Sequence, residues 1–182
     1  MRGREKHSPT RRKREGGKSF PALLCRALGT LLILGVIALL LPSLLPRLWG
    51  VRVCHVLTGS MEPAIPTGSM IFICPTEAAE IEAGDVIAYS DGGVTVTHRV
   101  VENRKLERKF ITKGDANEQE DPKQTGYDAL LGRVEYHIPL LGEVTARLTT
   151  PLGRVYLFTL LLCGVLFHAV AARLSERRTR GE

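Results

Sequence analysis

The sequence predicts a small, mostly antiparallel β domain held between two transmembrane helices. Three observations predict it. Two long uncharged apolar runs, residues 27–45 and 155–172, lie near the ends of the 182-residue chain. Between them stand short β-branched stretches punctuated by turn residues. The formal net charge of +6 is also unevenly spread, at +8 over residues 1–49, −5 over 50–153 and +3 over 154–182. A basic chain first suggests nucleic acid or an anionic membrane. Here the basic charge belongs to the ends and the centre is acidic, which argues against a nucleic-acid partner. An aromatic content of 5% offers little for base stacking. The composition also excludes collagen, a long coiled coil and a wholly disordered chain.

Taken in order, residues 1–19 form a basic tail with Arg2, Arg4, Lys6, Arg11, Arg12, Lys13, Arg14 and Lys18, expected to be disordered and cytoplasmic. Residues 20–46 form a transmembrane signal-anchor. Its nineteen uncharged residues approach the roughly 20 that a membrane helix needs. A cleaved signal peptide is the rival reading, but the run is long and no A-x-A cleavage site follows it. Pro42 and Pro46 are expected to end the helix near the interface, where Trp49 suits the headgroup layer. Residues 155–172 form a second transmembrane helix, and 173–182 a second basic tail with Arg173, Arg177, Arg178 and Arg180. As core helices, both runs would need cover on every side, which 104 central residues cannot supply. Two spans place both termini inside. The chain is then a multi-pass protein of the cell membrane, with the β-rich region 47–154 extracytoplasmic.

Within that region the strand candidates are 51–57, 69–74, 85–90, 94–102 and 109–114. Asp91-Gly92-Gly93 makes a hairpin turn between two of them. A helical turn is expected in 75–83 with Thr76 as N-cap. Residues 128–147 read as further strand and connection. Cys25 and Cys163 lie at or in the apolar spans. Cys54 and Cys74 are available for a disulfide in an oxidising compartment, a pairing that sequence leaves open. No zinc-like spacing is present.

Three polar clusters stand out. Thr58-Gly59-Ser60-Met61-Glu62-Pro63 puts a serine between a strand and a proline-containing turn, although an isolated Gly-Ser is more often an ordinary turn. Thr97-His98-Arg99 lies on an alternating strand, where Val94, Val96, His98 and Val100 share one face. A half-buried histidine there is either a core residue or a general base. The third cluster runs from Lys113 to Pro122 and includes Asp115, Glu118, Glu120 and Asp121. It lacks the D-x-D-x-D-G order of a calcium loop. Together the clusters offer a nucleophile, a base and a carboxylate to orient the base. Serine needs the base to lose its proton, and the base needs the carboxylate to fix its tautomer.

TGSMEPAIPTGSMIFI resembles the nucleophile box of type I signal peptidases. VTHRVV resembles the histidine box of their Ser–His branch, and ITKGDANEQED its aspartate box. The ordered set covers most of residues 20–125, and a histidine stands where the common bacterial branch has lysine. The resemblance implies a membrane-bound serine endopeptidase that removes N-terminal signal peptides from exported preproteins. It implies Ser60 as nucleophile, His98 as general base, Asp121 as orienting carboxylate and Asp115 as a supporting residue. The Ser60 N–H and the Thr58 hydroxyl would form the oxyanion hole. Expected partners are preprotein signal peptides, the lipid bilayer and the protein-export translocon, with no metal or cofactor. The alternatives are a relative that processes a few secreted matrix or pilus-like proteins, and a non-catalytic membrane-anchored β binding module.

Overall fold

The computed structural model describes residues 20–180. The expectations for the tail 1–19 lie outside those residues. Two helices are long and apolar enough to cross a membrane, α1 (Phe20–Leu44) and α3 (Pro151–Arg180). Leu24, Leu31 and Leu34 on α1 and Phe158, Leu162 and Leu166 on α3 are exposed. A helix apolar all round suits lipid better than water. Pro42 lies inside α1 and does not end it. Its missing N–H removes one backbone hydrogen bond, and only two residues of α1 follow it. The chain then tightens into a 3-10 turn, Leu45–Trp49, with Pro46 at its start.

Gly29 on α1 and Gly164 on α3 let the two helices approach closely. A Cβ on Gly29 would stand 2.8 Å from Gly164 O, and one on Gly164 would stand 2.8 Å from Ile33 Cγ1. Beside this contact Thr30 Oγ1 lies 3.3 Å from His168 Nε2. Small residues let membrane helices approach closely, and a polar side chain adds a modest link.

The central region is a seven-stranded antiparallel sheet. Its strands are β1 (Arg52–His55), β2 (Met70–Cys74), β3 (Val86–Asp91), β4 (Val94–Arg104), β5 (Lys109–Lys113), β6 (Thr125–Gly126) and β7 (Leu130–Ile138). Their order across the sheet is β1-β2-β7-β3-β4-β5-β6. All five strand candidates form: β1, β2 and β5 are shorter than expected, β3 is shifted by one residue, and β4 runs on to Arg104. Asp91 pairs with Val94, which leaves Gly92 and Gly93 as a two-residue hairpin. Both have positive φ, 57° and 85°, as a turn matching the strand twist requires.

Apolar side chains pack on both faces of the sheet. Along β3, Val86 and Ala88 join Met61, Ile65, Ile71 and Ile73, while Ile87 and Tyr89 join Ile81, Val100 and Phe110. The period-2 alternation of a strand produces this division.

Three details depart from the sequence expectations. Residues 128–147 include β7 but also a helix, α2 (Leu141–Thr149). Tertiary contacts hold it: Glu143 N–H donates to Gly68 O at 2.9 Å, and Thr145 Oγ1 lies 3.2 Å from His55 Nε2. The turn in 75–83 is a 3-10 helix, Ala78–Glu80, whose N-cap is Glu77. Thr76 instead donates its hydroxyl to Cys74 O at 3.0 Å. Cys54 and Cys74 are free thiols. Cys54 pairs with Ile71, so it shares the face of Ile71 and Ile73 while Cys74 points to the other.

Candidate active site

β4 carries the histidine. His98 stands opposite Ile87 and shares its face with Val96 and Val100, as the alternation predicts, whereas Val94 at the strand start is exposed. The imidazole is 11% exposed, and its Nδ1 lies 2.6 Å from Asp121 Oδ2. Asp121 comes from the loop after β5, where its N–H donates to Thr112 O at 2.8 Å. The same Oδ2 accepts the Thr112 hydroxyl at 2.6 Å and the Tyr89 hydroxyl at 3.2 Å. An ionised carboxylate only accepts hydrogen bonds. The network therefore assigns the proton of a neutral imidazole to Nδ1 and leaves Nε2 as the acceptor, the nitrogen a general base uses.

Tyr89 meets the imidazole edge-on, with ring centroids 6.4 Å apart and planes at 70°. Burial pushes its hydroxyl ionisation up; the Thr112 contact opposes this and the Asp121 charge adds to it. The phenol thus stays a donor over the neutral range.

Ser60 sits in a turn closed by Glu62 N–H to Gly59 O at 3.0 Å and followed by Ile65 N–H to Met61 O at 2.8 Å. Buried Met61 and Ile65 anchor that turn in the core. Glu62 accepts the Thr67 N–H at 3.2 Å and the Thr67 hydroxyl at 2.8 Å. These bonds, the backbone one foremost, hold the Glu62 carboxyl below its ordinary range. The Ser60 carbonyl is fixed from the other side by Ala116 N–H at 2.9 Å. Gly114 makes that approach possible, because a Cβ there would stand 2.6 Å from Ser60 O and 2.8 Å from Asn117 Nδ2.

Ser60, Thr58 and His98 line one cavity of about 400 Å³, whose apolar wall includes Cys54, Met61 and Ile71. Burial raises the Cys54 thiol above its ordinary range, against a smaller lowering by Arg52 and Arg47. Among the described residues, neither the Ser60 N–H nor the Thr58 hydroxyl has an intramolecular hydrogen-bond partner, and no hydrogen bond joins Ser60 to His98. Catalytic hydrogen bonds are often long without substrate and tighten when it binds.

The two carboxylates of the acidic loop separate. Asp121 meets His98. Asp115 meets Arg99, with Nε on Oδ1 at 2.8 Å and Nη2 on Oδ2 at 2.6 Å, while Arg99 Nη1 reaches Gly84 O at 2.7 Å. Tyr89, Thr112 and Arg99 thus belong to the site although sequence reasoning gave them no role. The position of Arg99 next to His98 was the one available signal. Two strand hydroxyls carry none.

No protein-family model matches the chain. Individual proteins do. It is 34% identical to the signal peptidase complex catalytic subunit SEC11 of Ogataea parapolymorpha over 116 aligned residues, 52% of this chain and 65% of that protein. It is 41% identical over 80 residues to signal peptidase I W of Bacillus subtilis, 42% of each chain. It is 33% identical over 102 residues to the signal peptidase complex catalytic subunit SEC11C of Homo sapiens, 50% of this chain and 53% of that one. In each case the chain spans less than two thirds of the relative's length. With two apolar helices flanking the sheet, the chain is a membrane-associated protein. By these matches it is similar to the type I signal peptidases.

Proposed function

We propose that the chain is a membrane-bound serine endopeptidase that cleaves N-terminal signal peptides from exported preproteins. One observation carries the reading: Ser60, Thr58 and His98 line one cavity, and His98 Nδ1 lies 2.6 Å from Asp121 Oδ2. His98 Nε2 takes the Ser60 hydroxyl proton as Oγ attacks the scissile carbonyl carbon. The oxyanion receives the Ser60 N–H and the Thr58 hydroxyl. The C–N bond then breaks, and the imidazolium, stabilised by Asp121, gives its proton to the departing amine. Water hydrolyses the Ser60 ester by the same route. One oxyanion donor is worth about 2.7–4 kcal/mol, so Thr58→Val should lower kcat about 10²–10³-fold without altering the fold.

The basic ends keep both termini on the cytoplasmic side and the sheet extracytoplasmic, a multi-pass arrangement in the cell membrane. The bilayer presents the substrate's apolar segment, and the protein-export translocon delivers it. A non-catalytic binding module has no need of a serine beside a buried histidine–carboxylate pair.

Preprotein cleavage in membranes tests the chemistry. Ser60→Ala and His98→Ala should each abolish it, and undiminished cleavage by Ser60→Ala would end the serine-peptidase reading. Thiol labelling of a cysteine at residue 120 and another at the C-terminus tests the topology. Both on the same side would remove the second span.

A further inference from the structure

Asp121 Oδ2 accepts three donors at once, which is more than orienting one imidazole requires. Two of them come from side chains that look like ordinary strand residues. Thr112 is fully buried on β5 and Tyr89 is 6% exposed on β3. Their hydroxyls approach Oδ2 at 2.6 and 3.2 Å, beside His98 Nδ1 at 2.6 Å. They come from strands on either side of β4, which carries His98. Asp121 itself lies on a loop, and the backbone bond to Thr112 O ties that loop at this residue. The side chain is not sealed off. A second cavity of about 280 Å³ is lined by Tyr89, His98 and Asp121. A carboxylate on a loop beside such a cavity would otherwise rotate to meet water.

We infer that Tyr89 and Thr112 are positioning residues for the reaction: their hydroxyls fix the Asp121 carboxylate so that its Oδ2, and no water, meets His98 Nδ1. They touch neither substrate nor Ser60 and act through Asp121 on His98. The inference rests on the peptidase reading, under which His98 is the general base. The two hydroxyls also share the charge of Oδ2 with the imidazole. Removing one leaves a stronger acceptor facing Nδ1–H, which favours the imidazolium. The free base then forms only at higher pH.

The test uses the full chain in lipid nanodiscs with a preprotein substrate, and compares wild type with Tyr89→Phe, Thr112→Val and Thr112→Ser. Losing one hydrogen bond to a charged group corresponds to about ten- to hundredfold in rate. Tyr89→Phe should lower kcat by that factor, leave KM within about twofold and move the acid limb of the kcat/KM profile to higher pH. Thr112→Val should lose more, and Thr112→Ser should recover most of the loss. A second readout needs no turnover. The low-field proton signal of His98 Nδ1–H, identified by its absence in His98→Gln, should move downfield in Tyr89→Phe and Thr112→Val. An unchanged acid limb and an unmoved signal in both variants would overturn the inference, as would a rate loss carried by KM or thermal stability alone. If Tyr89→Phe does not fold, the valine–serine contrast at Thr112 decides by the same readouts. If wild type cleaves no preprotein, the peptidase reading fails, and the proton signal still decides whether the hydroxyls tune the pair.

Discussion

His98 and Arg99 are consecutive residues on β4, and each holds a carboxylate of the same acidic loop. Neighbours on a strand point to opposite faces. His98 therefore meets Asp121 at one end of the loop, while Arg99 meets Asp115 at the other. The two contacts share a 2.6 Å distance and differ in chemistry. Arginine stays charged and grips Asp115 with two parallel bonds, which fixes geometry. Histidine changes its charge near neutral pH and makes one bond, which leaves a nitrogen free to move a proton. The arginine pair also reaches Ser60 indirectly, because Ala116, next to Asp115, holds the Ser60 carbonyl. Under the proposed mechanism, one strand thus supports a clamp for Ser60 and a base to activate it.

The largest effect separates these roles. His98→Ala should reduce kcat by about 10⁴-fold or more, as removing a triad member does, with the thermal transition nearly unchanged. Arg99→Ala should act through geometry. A misplacement of about 1 Å costs about 10²-fold, so a kcat loss of about 10–10²-fold is expected. Arg99 is 37% exposed, so solvent screens the pair. The accompanying stability loss should be about 1–2 kcal/mol by denaturant unfolding, below that of a fully buried pair. Arg99→Lys should recover charge but not the fork, and only part of the activity. If His98→Ala and Arg99→Ala lose activity equally, the division between base and clamp is wrong.

Smaller changes sharpen the clamp. Gly114→Ala puts a methyl group against Ser60 O and Asn117 and should destabilise by about 1–3 kcal/mol, read as a lower denaturant midpoint. Glu62 gives the smallest effect. Its carboxyl is lowered by the Thr67 backbone bond, so its stabilising contribution is present above the unfolded pKa and lost as pH falls through the folded one. Replacing Glu62 by Gln should therefore lower Tm slightly near neutral pH and make Tm less dependent on pH below about 4.5. A Tm–pH curve identical to wild type would remove Glu62 from the account of the Ser60 turn.

Much of this was legible in the sequence for identifiable reasons. The strands declare themselves by β-branched alternation, and the face of His98 follows from its spacing to Val96 and Val100. The pairing of β7 between β2 and β3 is long-range, and no local pattern encodes it. α2 escaped because LGEVTARLT is only weakly apolar and its docking on Gly68 and His55 is tertiary. Pro42 read as a helix end because sequence shows the lost N–H but not that the helix runs two residues past it. At the site, Ser60, His98 and the two aspartates stood out through their motifs. Tyr89 and Thr112 did not, since a hydroxyl on a strand looks the same whether or not a carboxylate lies above it.

The central claim is that Asp121 serves the base and Asp115 serves the scaffold. Single-turnover cleavage by Asp121→Asn and Asp115→Asn, measured alongside their unfolding curves, tests it most directly. The account predicts that Asp121→Asn loses about 10³–10⁴-fold in rate with its fold intact, and that Asp115→Asn loses far less rate and more stability. Full activity in Asp121→Asn with loss in Asp115→Asn would contradict it.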